Sequence, residues 1–320
     1  MKKTASFKRN KELPIFLGVP QSKGVKYLLN PDATEPQLYY DHPNGKVYVG
    51  DSIHWLNSLW AESVDVIFAD PPYNIKKAEW DTFESQLAYV EWSEKWISAA
   101  ARVLKPTGTL YICGFSEILA DLKLPAMRFF KGCRWIVWHY KNKANLGSDW
   151  GRSHESILHL RKTKNYTYNI DDVRIPYGEH TLRYPSHPQA ETSNFGSGNS
   201  NGQIWHPHPA GAKPKDVFDI PTTCNGMHEK TPHLTQKPEE LLRKIILASS
   251  NEGDLIVDPF LGSGTTAVCA EQLNRKWMGC DLSGEYMGWA VNRLELVEEW
   301  GIDKWKKYDF ENQKRRNAIR

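Results

Sequence analysis

The sequence predicts an α/β protein built on a doubly wound, mostly parallel sheet. Short apolar runs alternate with stretches of helical periodicity at both ends of the chain. Several of those runs end in an acid, at Asp51, Asp70, Asp258 and Asp281. One acid is followed by a glycine turn that opens a helix, residues 262–273. Carboxylates and glycine turns at strand ends are what an open parallel sheet places at its ligand edge. The chain has 320 residues, enough for one large α/β domain or two small ones.

The elements follow in order. Residues 1–40 are polar, carry Pro14, Pro20 and Pro31, and are expected to be loosely ordered. KVYVGD (46–51) reads as a strand and SIHWLNSLW (52–60) as a helix. SVDVIFADPPY (63–73) is a buried strand cut off by an acid and two prolines. Residues 84–104 place apolar side chains at helical intervals until Pro106 and Gly108 break the chain. TLYICGF (109–115), CRWIVWHYK (133–141) and SILHLRK (156–162) are further strands. With them, residues 41–175 make one half of the domain. Residues 176–232 turn rich in Pro, Gly, Ser, Asn and His, and are too long for a simple connection. An inserted functional lobe is expected there. Regular structure resumes over 233–300. QKPEELLRKIILAS (236–249) is a helix with Pro238 near its first turn, GDLIVDPF (253–260) a strand, and GSGTTAVCAEQL (262–273) a turn and helix. RKWMGCDLS (275–283) is a strand and GEYMGWAVNRLELVEEW (284–300) a helix. Residues 301–320 read as a basic tail. No internal repeat is visible.

The net charge is only +3 but is segregated. Residues 1–13, 131–183 and 304–320 together carry +14, leaving −11 for the rest. Such segregation suits a polyanion-binding face, although charged termini also serve solubility. RWIVWHYKNK (134–143) and RKTKNYTYN (161–169) interleave cations with flat rings, a pattern that serves phosphates and bases together. No run of about 18 apolar residues exists, so no membrane span is expected. The basic N-terminus lacks a signal-like apolar core, which points to the cytoplasm. Cys113, Cys133, Cys224, Cys269 and Cys280 are odd in number and form no CxxC pair, and read as reduced thiols. His206, His208, His228 and His233 lack paired cysteines and helical i, i+4 spacing, so no metal site is expected.

Two motifs carry chemistry. In DPFLGSGTTA (258–267), Gly262-x-Gly264-x-x-Ala267 follows a strand, and Asp281 lies at the next strand end. The glycines let a backbone approach a ligand, and Asp281 can hold ribose hydroxyls. No Lys-Ser/Thr pair follows, so this is not a P-loop. By itself the turn also fits an NAD site, or a tight turn with no ligand. Asp70-Pro71-Pro72-Tyr73 narrows the choice. Its prolines remove backbone donors and leave an acceptor cluster formed by the Asp70 carboxylate and free carbonyls, with no competing donor. An exocyclic amino group is the natural guest of such acceptors, because its transition state frees the nitrogen lone pair. Tyr73 offers a face on which a base could stack.

DPPYN (70–74), TQKPEELL (235–242) and DPFLGSGTT (258–266) together resemble the amino-methylating DNA methyltransferases that use S-adenosylmethionine. The catalytic motif precedes the cofactor motif, as in the beta group of that family, and the resemblance runs from about Val47 to Leu294. WGRSHESILHLRKTKNYTYNIDDVRIPY (150–177) resembles the segment before the target-recognition region in bacterial restriction–modification members. The resemblance implies a Rossmann-like methyltransferase fold in permuted motif order, with 41–175 as catalytic half, 176–232 as target-recognition insertion and 233–300 as cofactor-binding half. It implies that Asp258, Phe260, Gly262, Ser263, Gly264 and Thr265 line the S-adenosylmethionine pocket, with Asp51 near the adenine and Asp281 on the ribose. Thr235, Gln236 and Lys237 would lie near the methionine end. One departure is Leu234, where the family often has proline. Duplex DNA is the implied partner. The resemblance is compatible with a homodimer and with a restriction endonuclease acting on the same site.

On this reading Asp70 and the Pro71 carbonyl accept from the target amino group, Pro72 stiffens the loop, and a flipped base receives the methyl directly. Asp at the first catalytic position is typical of adenine-N6 members and Ser of cytosine-N4 members, so Asp70 favours adenine. Three alternatives stand beside it. They are a cytosine-N4 enzyme, a methyltransferase acting on RNA or protein, and a non-catalytic nucleic-acid reader on this fold.

Overall fold

The computed structural model describes residues 23–30, 32–76, 81–141, 150–188, 204–297 and 301–318. The first half of the chain supplies strands β1 (Val25–Lys26), β2 (Gln37–His42), β3 (Gly45–Val49), β4 (Val64–Ala69) and β5 (Leu104–Gly114). Helices α1 (Ser52–Ser58), α2 (Gln86–Val103) and α3 (Ser116–Ala126) lie between and after them. Next come β6 (Gly132–His139) and β7 (His154–Arg161), then a short helix α4 (Glu179–Arg183) and strands β8 (His187–Pro188), β9 (Ile204–Trp205) and β10 (Val217–Asp219). The last part holds α5 (Glu239–Ser249), β11 (Leu255–Asp258), α6 (Thr265–Gln272), β12 (Lys276–Asp281), α7 (Gly284–Glu295) and α8 (Gly301–Ala318).

Among the described residues, ten strands form one sheet in the order β1-β2-β3-β12-β11-β4-β5-β7-β6-β10. β3, β12, β11, β4 and β5 are mutually parallel, and antiparallel pairs lie on both flanks. The mostly parallel, doubly wound sheet expected from the sequence is present. β4 shows why. Its side chains alternate between faces, and both faces are apolar. Val66 and Phe68 join the core under α5, α6 and α7, whereas Ile67 and Ala69 join the core under α1, α2 and α3. Asp65 is the polar exception. Its carboxylate accepts from Lys105 Nζ at 2.8 Å and from Leu255 N at 2.9 Å, tying β4 to β5 and β11.

This topology fixes where a ligand can sit. The chain leaves β4 for helices on one face and leaves β11 for helices on the other. The carboxyl ends of these neighbours are therefore a topological switch point, where a crevice opens. Asp70 follows β4 directly and Asp258 closes β11.

Three boundaries differ from expectation. Order begins before residue 41, because Tyr40 lies within β2 and is fully buried. Its ring stacks on Trp277 at 6.5 Å and its hydroxyl donates to Glu295 at 2.6 Å. Residues 1–22 lie outside the described residues. The span 176–232 is not wholly a separate lobe, because β10 pairs in parallel with β6 at the sheet edge. Its residues 189–203 also lie outside the described set. Finally, 301–318 is the helix α8 rather than a tail. Trp305 is fully buried, and Asp309 is buried 3.8 Å from the Lys244 ammonium. The one-turn spacing of Trp305, Tyr308 and Asp309 packs one face while most of the basic side chains point outward. The helix α3 is short and carries Pro125 in its last turn, which hides its periodicity.

Trp305→Ala is expected to cost about 3–5 kcal/mol of stability, the usual range for emptying a large aromatic site. Urea unfolding of the full-length chain checks it, and a loss under about 0.5 kcal/mol, typical of surface sites, would mean that α8 is not part of the core.

Candidate active site

Two cavities meet at Asp70. The first is lined by Asp51, Asp70, Pro72, Thr235, Gln236, Lys237, Asp258, Phe260, Gly262, Ser263, Thr265 and Asp281, together with the rings of Trp92 and Tyr286. The second is lined by Asp70, Pro71, Tyr73, Phe115, Trp138, Tyr140, Arg152, Glu155 and Lys230, among others. Asp70 and Thr235–Lys237 line both. Residues 165 or more positions apart are thus brought together at the switch point, each delivered by a strand end or by the loop that enters α5.

The first cavity is acidic and walled by turns. Asp51 caps α1, accepting from Ile53 N at 3.0 Å and His54 N at 2.9 Å. Asp281 ends β12 and accepts from Gly262 N at 2.8 Å and Ser283 N at 3.0 Å. Each carboxylate keeps lone pairs beyond these bonds. Asp258 is buried and accepts from Thr266 Oγ1 at 2.5 Å and Phe260 N at 2.9 Å. Burial pushes its carboxyl up to about 7; those two hydrogen bonds oppose the shift, and the charges of Asp70 and Asp281 add to it. Gly262 has φ +51°, in the left-handed region. Gly264 has φ +82°, and a Cβ there would stand 2.6 Å from Ala290 Cβ. The second glycine of the motif therefore serves the packing of α6 on α7. Its neighbours Ser263 and Thr265 line the cavity on either side of it.

The polar residues of 235–237 divide their work. The Gln236 amide is engaged by the loop that precedes it. It accepts from Thr231 N at 2.8 Å and donates to the Glu229 carbonyl at 2.6 Å. Lys237 is buried and reaches Asp70 Oδ2 at 2.5 Å, with Glu155 Oε2 at 3.6 Å. Burial alone would lower its pKa, but the charges of Asp70 and Glu155 outweigh that and raise it. The ammonium is a bridge between two carboxylates. Thr265 Oγ1 donates to the Lys237 carbonyl at 3.1 Å and fixes its backbone to α6.

Around Asp70 the structure corrects one expectation. The acceptor cluster does have competing donors. Lys237 holds one carboxylate oxygen, and the Tyr73 hydroxyl donates to the other at 2.6 Å. The Tyr73 hydroxyl also lies 3.2 Å from Glu155 Oε2, and its ring meets Phe115 edge-on at 5.0 Å. Burial, and then the nearby charges beginning with Asp70, push the phenol well above its ordinary value, so it acts as a donor. The removal of backbone donors by Pro71 and Pro72 was legible in the sequence. The side-chain donors come from residue 237 and from the turn of the Tyr73 ring, which only the fold places.

Sequence reasoning missed Asp81 and Glu155. Asp81 is buried, and its carboxylate accepts from Tyr73 N at 2.6 Å, Asn74 N at 2.8 Å and Ile75 N at 3.3 Å. One side chain thereby shapes the loop after Pro72, where Asn74 and Lys76 hold φ of +57° and +58°. The only signal was an acid a few residues after a proline loop. Glu155 had none, because its role exists only when β7 lies beside β5. The four histidines do not converge. His233 is buried in the first cavity, where burial pushes it down to about 4, whereas His206 pairs with Ser186. Among the described residues no group of three or more His, Cys, Asp or Glu could hold a metal ion.

The sheet is open and mostly parallel, and the two crevices at its switch point share Asp70, a layout that can bring two ligands to one carboxylate. Residues 64–292 match the family described as DNA methylase. The chain is 35% identical to the Type II methyltransferase M1.MboII of Moraxella bovis, covering 78% of this chain and 98% of that protein. It is 34% identical to the DNA adenine methyltransferase YhdJ of Escherichia coli (strain K12), covering 80% and 84%. The chain belongs to the DNA methylase family. Two solved structures share its fold. The PvuII DNA methyltransferase (cytosine-N4-specific) has a TM-score of 0.59 at 19% identity, covering 82% of this chain and 92% of that one. M1.HpyAVI in its SAM complex has 0.52 at 22%, covering 78% and 98%.

Two outcomes follow from this geometry. Asp81→Ala leaves the backbone N–H groups of Tyr73, Asn74 and Ile75 without their acceptor, and should lower the rate of methyl transfer by about a hundredfold while ligand binding in the first cavity stays close to normal. Single-turnover methyl transfer, beside calorimetry of ligand binding, separates the two. Asp258 has a folded pKa raised from 3.8 to about 7. The folded state therefore holds the extra proton between those values, and its stabilising effect fades as pH rises through them. Unfolding curves across that window should show the ligand-free wild type losing a few kcal/mol relative to Asp258→Asn; parallel curves would refute the shift.

Proposed function

We propose that this protein transfers a methyl group from S-adenosylmethionine to the exocyclic N6 of a flipped-out adenine in duplex DNA. The observation that carries the reading is the placement of Asp70 at the wall between an acidic, turn-lined crevice and a ring-lined one. The first suits the donor. Its Asp51, Asp258 and Asp281 carboxylates match a ligand that carries ribose hydroxyls, an amino group and a cationic sulfonium, and Phe260 and Tyr286 offer apolar faces to an adenine. That M1.HpyAVI is described in a SAM complex supports the same assignment. The second suits the acceptor. Tyr73, Phe115, Trp138 and Tyr140 supply rings and Arg152 and Lys230 supply positive charge, as an extruded nucleotide needs.

Bound there, S-adenosylmethionine supplies an activated methyl on sulfur. The protein aligns the amino nitrogen with it and excludes water. Asp70 accepts an N–H of the amino group through a lone pair that Lys237 and Tyr73 leave open. This favours the pyramidal nitrogen whose lone pair forms the N–C bond as the C–S bond breaks and its electrons pass to sulfur. The surplus proton leaves the nitrogen towards Asp70 or solvent. Lys237 and Tyr73 hold the carboxylate in place, and the Pro71 carbonyl is the second acceptor. The part of 176–232 outside β10 serves as the recognition insertion, between a catalytic half (41–175) and a cofactor half (233–300). A homodimer and a companion endonuclease reading the same site belong to this proposal as well.

Adenine is favoured over cytosine by Asp70 and by the name of the E. coli relative, DNA adenine methyltransferase. Expression in a host free of DNA methylation, followed by nucleoside analysis of its DNA, tests the reading. N6-methyladenine confined to one sequence motif is expected, and none from Asp70→Ala that still binds S-adenosylmethionine. N4-methylcytosine would overturn the base. Unmodified DNA from folded, cofactor-binding protein would overturn the substrate.

A further inference from the structure

A separate cavity of about 390 Å³ opens on the same sheet face as the catalytic crevice but lower on the strands. Its wall includes Tyr111 of β5, Arg134 of β6, and His159 and Arg161 of β7, with Lys244 of α5 above them. Glu155 and His159 lie on one face of β7, four residues apart, so the cavity sits roughly 13 Å back from the catalytic carboxylates. The two basic, aromatic stretches of the sequence meet here. Arg134 comes from one, and Arg161, Tyr166 and Tyr168 come from the other. The transfer reaction makes no use of them.

Rings, charge and unsatisfied polar atoms coincide at this place. His159 stacks on Tyr111 at 4.3 Å with an angle of 6° between planes, and Tyr166 meets His159 edge-on at 5.9 Å. The Arg161 guanidinium lies 5.0 Å from the Tyr166 ring centre. His159 is 6% exposed, and its Nε2 is buried without a hydrogen-bond partner. Arg161 Nε is likewise buried and unbonded. Native interiors leave few such atoms without a ligand or water. Burial, and then the charges of Arg161 and Arg134, pushes His159 down to about 3, so its imidazole is neutral and hydrogen-bonds as a base edge would. Cations exceed anions. Asp216, a lining residue, lies 3.7 Å from Arg134, and Asp309 lies 3.8 Å from Lys244. No ion pair within 4 Å is formed by Arg161, Lys213 or Lys215 among the described residues, and the two lysines are exposed at the rim.

We propose that this cavity is a second ligand site, distinct from both crevices, for a nucleoside monophosphate or a ligand of that chemistry. The flat heterocycle packs against Tyr166 and Tyr168 at the mouth of the cavity. The phosphate meets Arg161 with Lys213 and Lys215 at the rim. The cavity has the volume of a small-molecule site, and it opens roughly 13 Å back from the strand ends where a duplex must approach Asp70. Those two facts favour a free nucleotide over a DNA backbone.

Adenosine 5′-monophosphate titrated into the full-length protein by calorimetry tests the proposal. Binding is expected, weakened roughly tenfold or more by Arg161→Gln and by Tyr166→Ala, as loss of a charged hydrogen bond or a stacking face requires. Lys215→Ala, at an exposed position that leaves the fold untouched, should weaken it severalfold. Asp281→Ala, in the first crevice, should leave it unchanged. Adenosine and inorganic phosphate should each bind much more weakly than the nucleotide. Several results would overturn the site: no binding at millimolar nucleotide, binding lost only in Asp281→Ala, or equal affinity for inorganic phosphate. Displacement of the nucleotide by short duplex DNA, with the same dependence on Arg161 and Lys215, would also overturn it by making the surface a DNA contact.

Discussion

The Lys237 ammonium is the interaction on which the rest of the site depends. It stands buried between Asp70 and Glu155, at 2.5 and 3.6 Å. Those three side chains come from the end of β4, the start of β7 and the loop before α5. Two carboxylates this close would repel each other and draw in water. A buried cation between them removes both problems, and removing one partner of such a set leaves a charge in low dielectric at a cost of about 3–5 kcal/mol. The surroundings keep the lysine where it is. Thr265 holds its carbonyl, and the Gln236 amide holds the preceding loop at residues 229–231. The two crevices are therefore joined through a side chain that lines both.

That junction lies at the switch point of the sheet for a reason of topology. Helices leave the neighbouring strands β4 and β11 in opposite directions, so no element covers their carboxyl ends. The two crevices then differ in what lines them. Strand-end acids and tight turns line the first, while side chains from the antiparallel flank, including Trp138 and Tyr140, line the second. Asp70 and residues 235–237 line both crevices. Buried support reaches further than the lining. Asp81 collects the backbone donors of the loop after Pro72, and Asp65 ties β4 to both of its neighbours.

The edges of the domain follow a different rule. β2 adds to the sheet through Tyr40 on Trp277, β10 through pairing to β6, and α8 through Trp305. Each has a polar or short sequence with a few apolar anchors. Local pattern is weak in such segments, and the partner surface decides whether they are ordered.

The sequence alone determined the parallel core and singled out the acids at its strand ends. β4, β5, β11 and β12 are apolar on both faces, and that pattern admits little but buried strands between helices. Asp70, Asp258 and Asp281 were legible because a strand ends at or beside each of them, and Pro71 and Pro72 because they remove donors wherever they occur. Tertiary structure alone decided what those groups touch. Asp70 is not an open acceptor but is held by Lys237 and Tyr73, Gly264 serves helix packing, and Glu155 and Asp81 belong to the site. Residues 70 and 237 are 167 positions apart, and no local periodicity encodes the distance between two side chains that meet only when the sheet has closed.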